Sequence, residues 1–291
     1  MQLRLRTCVL MFASIFTLLA CAARNVTETA TIETRTLSVS DGTSISYVSG
    51  GRGNPQLVFV HGWACDSTYW TNQIDHFLPD HRLLAIDLAG HGESGATRSD
   101  WSIEALAQDI AEVLAHESLD DVILIGHSLG AAVVVLTAQK AANRVAGVVI
   151  VDAMHDLETP HREQMLGFVA SLESDFVGTL RSGVPNLFGP FADQELVERI
   201  ALDMASAPPG LSIELERSYA DMDFKAAIEL VAAPMRAINA YATNIAANRQ
   251  YSQDYEAWRM EDVGHFLMLE RPREFNELLK RVISEIRSVA D

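Results

Sequence analysis

Short apolar runs alternate with amphipathic stretches along most of the chain. Two of the runs, 56–60 (QLVFV) and 145–151 (VAGVVIV), are almost wholly apolar, which is typical of parallel strands that are covered on both faces. The runs that predict strands are 32–39, 43–48, 56–60, 82–87, 121–126, 145–151, 234–239 and 255–260. The pattern therefore predicts an eight-stranded sheet.

Helical patterns lie between several of these strands. Residues 103–114 and 272–289 place apolar side chains at i, i+3, i+4 and i+7, with Ser102 suited to the N-cap of the first helix and Pro272 to the first position of the second. Residues 129–141 are small and apolar on all sides, which predicts a buried helix. The alternation indicates an α/β fold, with an open and mostly parallel sheet that carries helices on both faces.

One stretch breaks this alternation. Residues 155–231 are helical in pattern, contain no convincing strand and are interrupted several times by glycine and proline. A stretch of this length inside a sheet domain is rarely a structureless loop. We therefore predict a helical cap at 155–231, inserted after the sixth strand, and a sheet domain formed by 32–154 and 232–291.

The N-terminus has the pattern of an export signal. Residues 1–20 combine a basic start with an apolar stretch that is too short to span a bilayer. Their end, 18–21 (LLAC), resembles the lipobox of bacterial lipoproteins, in which the cysteine is lipidated. This predicts a signal peptide at 1–20, a tether at 21–31 and a location in the bacterial cell envelope, where a lipidated Cys21 would tether the protein to a membrane. Ordinary cleavage, which leaves a periplasmic or secreted protein, and a retained anchor stay open as alternatives.

Composition excludes several classes of protein. Hydrophobic residues make up 48% of the 291 residues and charged residues 21%, which argues against a disordered chain. Lys and Arg number 22 against 39 Asp and Glu, so the formal net charge is −17 and nucleic acid is not expected as a partner. Three cysteines cannot form a disulfide framework. We expect an acidic globular protein.

The strongest chemical signal is the pentapeptide 126–130 (GHSLG), a match to G-x-S-x-G. An apolar run at 121–125 precedes it and an apolar helical pattern follows, which is the strand–turn–helix setting that the motif requires. The glycines allow a sharp turn in which bulkier side chains would collide. The turn exposes the hydroxyl of Ser128 beside a helix N-terminus, where developing negative charge is stabilised.

With this motif the chain resembles the α/β-hydrolase family, over residues 32–289. Three further segments add to the resemblance: 61–63 (HGW) is similar to the oxyanion loop of the family, 87–94 (DLAGHGES) to its D-x-x-G-x-G-x-S turn, and 263–272 (VGHFLMLERP) to its catalytic-histidine loop and the start of its last helix. The resemblance is greatest to cap-bearing esterases, haloperoxidase-like enzymes and C–C bond hydrolases. It implies the α/β-hydrolase fold and a serine nucleophile.

A serine hydroxyl needs a neighbouring base, and His265 is the candidate. It follows the last strand and comes late in the chain, as the order Ser…Asp/Glu…His requires. Among the other histidines, His61 and His91 lie in glycine turns where structural hydrogen bonds are expected, and His127 should point away from its neighbour Ser128. The histidines expected to be exposed are His76, His81, His116, His155 and His161.

The acid that orients the histidine is less clear. In many relatives it follows the strand at 234–239, but 235–253 contains no Asp or Glu. Some members of the family place it at the end of the preceding strand, where Asp152 stands, and we therefore favour Asp152. Asp262 stays open as an alternative, as do Asn239 and Asn244 as neutral orienting groups.

The backbone N–H groups of Trp63 and Leu129 are expected to form the oxyanion hole. Gly62 would allow the backbone to come close to the substrate. The indole of Trp63 suits either the wall of an acyl pocket or simple core packing. The apolar cap residues, which suit either a substrate pocket or contact with the sheet domain, are Phe168, Leu172, Phe176, Leu187 and Phe188.

These observations predict a serine hydrolase that cleaves carboxylic esters through an acyl-enzyme on Ser128, with a small and apolar ester as substrate. Activity should fall as acid protonates His265, which must be neutral to accept the proton. No cofactor and no metal are expected, since the sequence lacks H-E-x-x-H and the cysteines lack ligand spacing. A C–C bond hydrolase, a lactonase or a thioesterase stays open on the same fold. A ligand-binding module without turnover is the alternative from a different class.

Overall fold

The computed structural model describes residues 31–153, 162–240 and 256–290. The predicted signal peptide, Cys21 and all of the predicted tether except Thr31 lie outside the described residues, as do Asn244, His155 and His161. The strands are β1 Ile32–Ser38, β2 Ser44–Gly50, β3 Gln56–Val60, β4 Leu83–Ile86, β5 Val122–His127, β6 Val145–Val151, β7 Met235–Ala240 and β8 Glu256–Met260. Each lies within two residues of its predicted bounds.

The strands form one sheet in the order β1-β2-β4-β3-β5-β6-β7-β8. Strand β2 runs antiparallel to β1 and β4, and the remaining neighbours are parallel. The predicted mostly parallel, eight-stranded sheet is therefore confirmed. Its central strands are buried along nearly their whole length, which explains why they lack polar alternation.

Two groups of helices cover the sheet. The helices outside the predicted cap are α1 Thr71–Phe77, α2 Ile103–His116, α3 Leu129–Lys140, α9 Leu267–Glu270 and α10 Pro272–Ala290. Helix α3 packs on β5 and β6 and against α2, whereas α10 packs on β6 and β7 and against α1. The side chain of Ser102 caps α2 by accepting a hydrogen bond from the Ala105 backbone N–H, as predicted.

The described part of the predicted cap is helical and contains no strand. Its helices are α4 Arg162–Ser174, α5 Phe176–Gly183, α6 Gln194–Ala205, α7 Pro209–Ala220 and α8 Phe224–Glu229, with a 3₁₀ helix at Val184–Leu187. Aspartates cap three of these helices, because Asp175, Asp193 and Asp223 each accept hydrogen bonds from backbone N–H groups of the first turn. The division between cap and sheet domain stays a prediction, since its first boundary, between 154 and 155, lies outside the described residues.

No helix in the described parts of the chain has both the length and the apolar character that crossing a membrane requires.

Candidate active site

Ser128 occupies a strained turn between β5 and α3. Its backbone has φ 54° and ψ −125°, a combination that L residues adopt only where the surrounding structure holds them there. Backbone atoms lie close to the turn, since a Cβ added to Gly130 would be 2.3 Å from the carbonyl oxygen of His61. The glycine is thus required by close backbone contact, and the turn projects Ser128 from the carboxyl end of β5.

A cavity of about 290 Å³ opens above this turn. Both Ser128 and His265 line it, so the structure brings these two residues to the same space. Its wall is mainly apolar, and the residues that form this wall include Trp63, Phe168, Leu180, Val184, Leu187 and Met204. Among the described residues, no group of three or more His, Cys, Asp or Glu side chains is arranged to hold a metal ion.

The five apolar cap residues have different environments. Phe168 and Leu187 line the cavity, whereas Phe176 packs against the indole of Trp63 with ring centroids 6.1 Å apart. Leu172 is buried in the core, and Phe188 stacks on Phe266 at 5.0 Å. Some of these residues therefore line the cavity and others pack in the core or against neighbouring rings, as the two expectations allowed.

Asp152 lies against the candidate base. Its Oδ2 atom is 2.7 Å from Nδ1 of His265, so a proton on Nδ1 leaves Nε2 free to accept one from a hydroxyl. The other oxygen, Oδ1, accepts a hydrogen bond of 2.8 Å from the Ala240 backbone N–H. Asp152 is 5% exposed and has a positive φ of 46°, which lets the chain turn sharply after β6. The acid is thereby fixed through both oxygens.

The alternatives to Asp152 are placed differently. The side chain of Asp262 is 58% exposed, and its carboxylate lies 3.9 Å from the guanidinium of Arg271. Asn239 is buried on β7, while Asn244 lies outside the described residues. The structure therefore pairs His265 with Asp152 and leaves Asp262 facing solvent.

Hydrogen bonds connect the loop that carries His265 to the segment between β6 and β7. The His265 backbone N–H donates to the carbonyl of Leu187 at 2.6 Å. The carboxylate of Glu270 accepts hydrogen bonds of 2.9 Å from the backbone N–H groups of Gly264 and Gly189. Burial raises the pKa of Glu270, and the two hydrogen bonds oppose this rise. Sequence reasoning assigned no role to Glu270, although it stands in the segment that resembles the family's histidine loop.

His127 also contacts the candidate base. Its ring centroid lies 4.5 Å from that of His265, and its Nε2 lies 2.8 Å from the carbonyl oxygen of His265. Burial lowers the pKa of His127 to about 3, so the ring is neutral and donates from Nε2. His127 also lines the cavity with Ser128, a placement that the sequence did not predict.

The other histidines have structural surroundings. His61 Nε2 accepts from the Leu88 backbone N–H at 3.0 Å, and His91 Nε2 accepts from the Ala64 N–H at 3.3 Å, which confirms the predicted structural hydrogen bonds. Burial lowers the pKa of His61 to about 4 and that of His91 to about 3.

The expectation that His81 is exposed is wrong. His81 is half-buried, and its Nδ1 lies 2.8 Å from the carbonyl oxygen of Pro55.

The two expected oxyanion donors lie beside Ser128. Leu129 is the first residue of α3, so its N–H has no acceptor within the helix. The turn at Gly62 and Trp63 is also adjacent, since a Cβ on Gly62 would lie 3.1 Å from the Cβ of Ser128. Neither N–H donates to another group in the described part of the protein. Their role in binding an oxyanion stays a prediction.

The indole of Trp63 has both of the roles considered. It lines the cavity, and its edge packs against Phe168 with ring centroids 5.9 Å apart. Its Nε1–H donates a hydrogen bond of 2.8 Å to the carbonyl of Ser212 in α7. Trp63 therefore joins the turn beside Ser128 to a helix of the predicted cap.

Comparison with known proteins identifies the family of the chain. Residues 57–278 match the profile of the alpha/beta hydrolase family. A non-heme haloperoxidase of Rhodococcus erythropolis is 37% identical over 123 residues, which are 42% of this chain and 44% of that protein. The chain thus spans less than half the length of the first curated relatives that it matches.

Solved structures share the whole architecture. The esterase EaEST from Exiguobacterium antarcticum superposes with a TM-score of 0.78 at 17% identity, covering 87% of this chain and all of the esterase. Est816, described as an N-acyl homoserine lactone degrading enzyme, gives a TM-score of 0.71 at 23% identity over 84% of this chain and 99% of its own. At these identities the likeness concerns the fold.

Proposed function

The chain belongs to the alpha/beta hydrolase family, and from this membership we propose that it is a serine hydrolase that cleaves carboxylic esters. The observation that carries the proposal is the hydrogen bond of 2.7 Å between His265 and Asp152 at a cavity that Ser128 also lines. A nucleophile, a base and an acid that orients the base are the three parts that serine acyl transfer needs.

The reaction would proceed through an acyl-enzyme. The Oγ atom of Ser128 attacks the ester carbonyl while its proton passes to Nε2 of His265, and Asp152 stabilises the resulting imidazolium. The oxyanion of the tetrahedral intermediate accepts hydrogen bonds from the backbone N–H groups of Trp63 and Leu129. When the intermediate collapses, the C–O bond to the alcohol breaks and His265 returns the proton to the departing alcohol oxygen.

Deacylation repeats these steps with water. His265 removes a proton from a water molecule as its oxygen attacks the acyl carbonyl. The second tetrahedral intermediate then releases the carboxylic acid, and Ser128 regains its proton from His265. The apolar wall of the cavity suits the hydrocarbon part of an ester, which supports a small apolar ester as substrate.

A fluorophosphonate probe tests the proposal directly, because it forms a covalent bond only with an activated serine. We expect the full-length chain to be labelled and the Ser128→Ala variant to be unlabelled, together with a loss of ester hydrolysis. The matched control is Ser171→Ala, which removes an exposed serine from α4. Absence of labelling in the unaltered protein would instead support a ligand-binding module without turnover.

A lactone is a cyclic ester, and the fold shared with the lactone-degrading Est816 favours lactones as a second substrate class. Activity should therefore be measured on a panel of open-chain esters, lactones, thioesters and a C–C bond hydrolase substrate, at several acyl lengths. Ser128-dependent cleavage of lactones in preference to open-chain esters would move the assignment to a lactonase.

We also propose that residues 1–20 direct export and that Cys21 is lipidated in the cell envelope. The support is the LLAC sequence at 18–21. Metabolic labelling with an alkyne-bearing fatty acid tests this, since the label should be present in the unaltered chain and absent from Cys21→Ala. An unlabelled chain whose N-terminus has been removed would indicate ordinary signal cleavage.

A further inference from the structure

The cavity contains an acid that the ester mechanism does not use. Glu216 lies on α7 and lines the same cavity as Ser128 and His265, although only 7% of its surface is exposed. Its carboxyl group makes no hydrogen bond or ion pair with any residue that the structure describes. Within the described residues, the acid therefore lies in the cavity of Ser128 and His265 without a hydrogen-bonding partner.

The orientation of α7 explains this placement. Ser212 precedes Glu216 by four residues, so the two lie on the same face of the helix. The carbonyl of Ser212 accepts the hydrogen bond from the Trp63 indole, so this face is directed toward the turn beside the nucleophile. The face also carries Leu215, which is fully buried. By contrast, Glu214 is on the exposed side of the same helix.

The described surroundings of Glu216 offer no compensating positive charge. No lysine or arginine is among the described residues that line the cavity. The titratable groups there are Cys65, His127 and His265, and Tyr219 approaches from α7 itself. Burial raises the pKa of Glu216 to about 7. A carboxyl group in an apolar cavity is costly to the fold unless a hydrogen-bonding partner is present, and a bound ligand can be that partner.

We propose that Glu216 accepts a hydrogen bond from a donor group of the ester substrate, a hydroxyl or an ammonium, at a point away from the scissile carbonyl. The proposal rests on the proposed ester hydrolysis and names its substrate class: esters that are apolar along most of their length and carry one polar donor. A charged Glu216 and the formal net charge of −17 would both repel an anionic substrate, so we expect the preferred esters to be neutral or cationic.

Three matched ethyl esters test the proposal. Their acyl chains have equal length and end in a methyl, a hydroxyl or an ammonium group, and several lengths are compared. The measured quantity is kcat/KM for each donor-bearing ester divided by that for the methyl ester, in the full-length protein and in the variants Glu216→Gln and Glu216→Leu. The control variants are Glu214→Gln and Glu214→Leu, which make the same changes on the exposed side of α7.

We expect the unaltered protein to prefer a donor-bearing ester by about ten- to a hundredfold, the usual effect of pairing a buried polar group. Glu216→Leu should abolish the preference for both donors. Glu216→Gln keeps an acceptor oxygen but no charge, so it should keep a preference for the hydroxyl ester and lose one for the ammonium ester. The Glu214 variants should behave like the unaltered protein. The ester whose preference is lost in Glu216→Leu identifies the donor group.

The measurements distinguish a wrong substrate class from a wrong reaction. If Ser128-dependent hydrolysis is present but the ratios are the same in the unaltered protein and Glu216→Leu, Glu216 does not select the substrate. If none of the esters is hydrolysed in a Ser128-dependent way, ester hydrolysis itself is wrong, and the substrate class falls with it. Fluorophosphonate labelling of each variant verifies that the site remains folded.

Discussion

The carboxylate of Asp152 contacts His265 from the end of β6, with Oδ2 2.7 Å from Nδ1, although 113 residues separate the two along the chain. The contact is possible because the carboxyl ends of parallel strands meet at one edge of the sheet, where the loop after β8 also lies. The second oxygen of Asp152 binds the backbone of Ala240. The acid is therefore oriented by two strands and not by a flexible loop.

We expect Asp152→Asn to lower kcat by about three to four orders of magnitude, because the amide would stabilise the wrong tautomer and no imidazolium. Asp262→Asn, which changes an exposed side chain three residues before His265, should keep nearly full activity. Steady-state ester hydrolysis measures both. Equal losses in the two variants would contradict the pairing.

Glu270→Ala should slow the labelling of Ser128 by the fluorophosphonate and reduce kcat more than it changes KM. The substitution leaves the N–H groups of Gly264 and Gly189 without acceptors and releases the loop that carries His265. It should also lower the free energy of unfolding by about 1–3 kcal/mol.

The control is Glu274→Ala, which removes a half-exposed partner of Arg271 and should change neither the rate of labelling nor kcat. A loss of stability without a slower labelling rate would show that Glu270 does not position His265.

Gly130→Ala should lower the free energy of unfolding by about 1–3 kcal/mol, since the added methyl group would meet the backbone carbonyls of His61 and Val60. Gly167→Ala provides the comparison: Gly167 is an exposed helical glycine with nothing within 4 Å of an added Cβ. Alanine there should raise the free energy of unfolding by about 0.5–1 kcal/mol. Urea unfolding curves distinguish the two. A Gly130→Ala variant as stable as the unaltered protein would show that the turn can relax.

The free energy of unfolding should depend on pH through Glu216. Burial raises the pKa of Glu216 from 4.5 to about 7 in the folded protein, so the folded state binds the proton more tightly than the unfolded state. The loss of stability caused by a charged Glu216 is absent below pH 4.5. It is complete above pH 7, where the carboxylate in the cavity is charged. The advantage of Glu216→Gln over the unaltered protein should thus grow by about 3 kcal/mol across this window.

Urea unfolding at a series of pH values measures this advantage, with Glu214→Gln as the control. Glu214 is exposed on the other side of α7, so its variant measures the effect of the same substitution outside the cavity. A constant difference between Glu216→Gln and the unaltered protein from acid to neutral pH would mean that the carboxyl group finds a partner in solution.

The parts of the site that depend on neighbouring residues could be predicted from the sequence. The strained turn at Ser128 requires glycines at fixed positions, so its steric demand is present in five consecutive residues. Asp152 could be proposed because it directly follows an apolar strand, at a position where some members of the family place the acid, while 235–253 contains no Asp or Glu. The bounds of the strands followed from their length and apolar character.

The parts that depend on tertiary packing could not be predicted. Glu214 and Glu216 are equivalent in the sequence, and only the docking of α7 above the nucleophile decides which of them is buried. The role of Glu270 likewise depends on Gly189, a residue 81 positions earlier in the chain. The contact of His127 with His265 is of the same kind, since no local pattern records which ring lies behind a loop 138 residues away.

Trp63 has its backbone N–H among the expected oxyanion donors and its indole N–H on the carbonyl of Ser212 in α7. A shift of α7 would therefore change the shape of the cavity and the position of an expected oxyanion donor at the same time. Variants selected for new substrates through substitutions in α7 should for this reason show linked changes in selectivity and turnover. Randomising Leu180 in α5 or Met204 in α6, which line the cavity from other segments, is the route that separates the two properties.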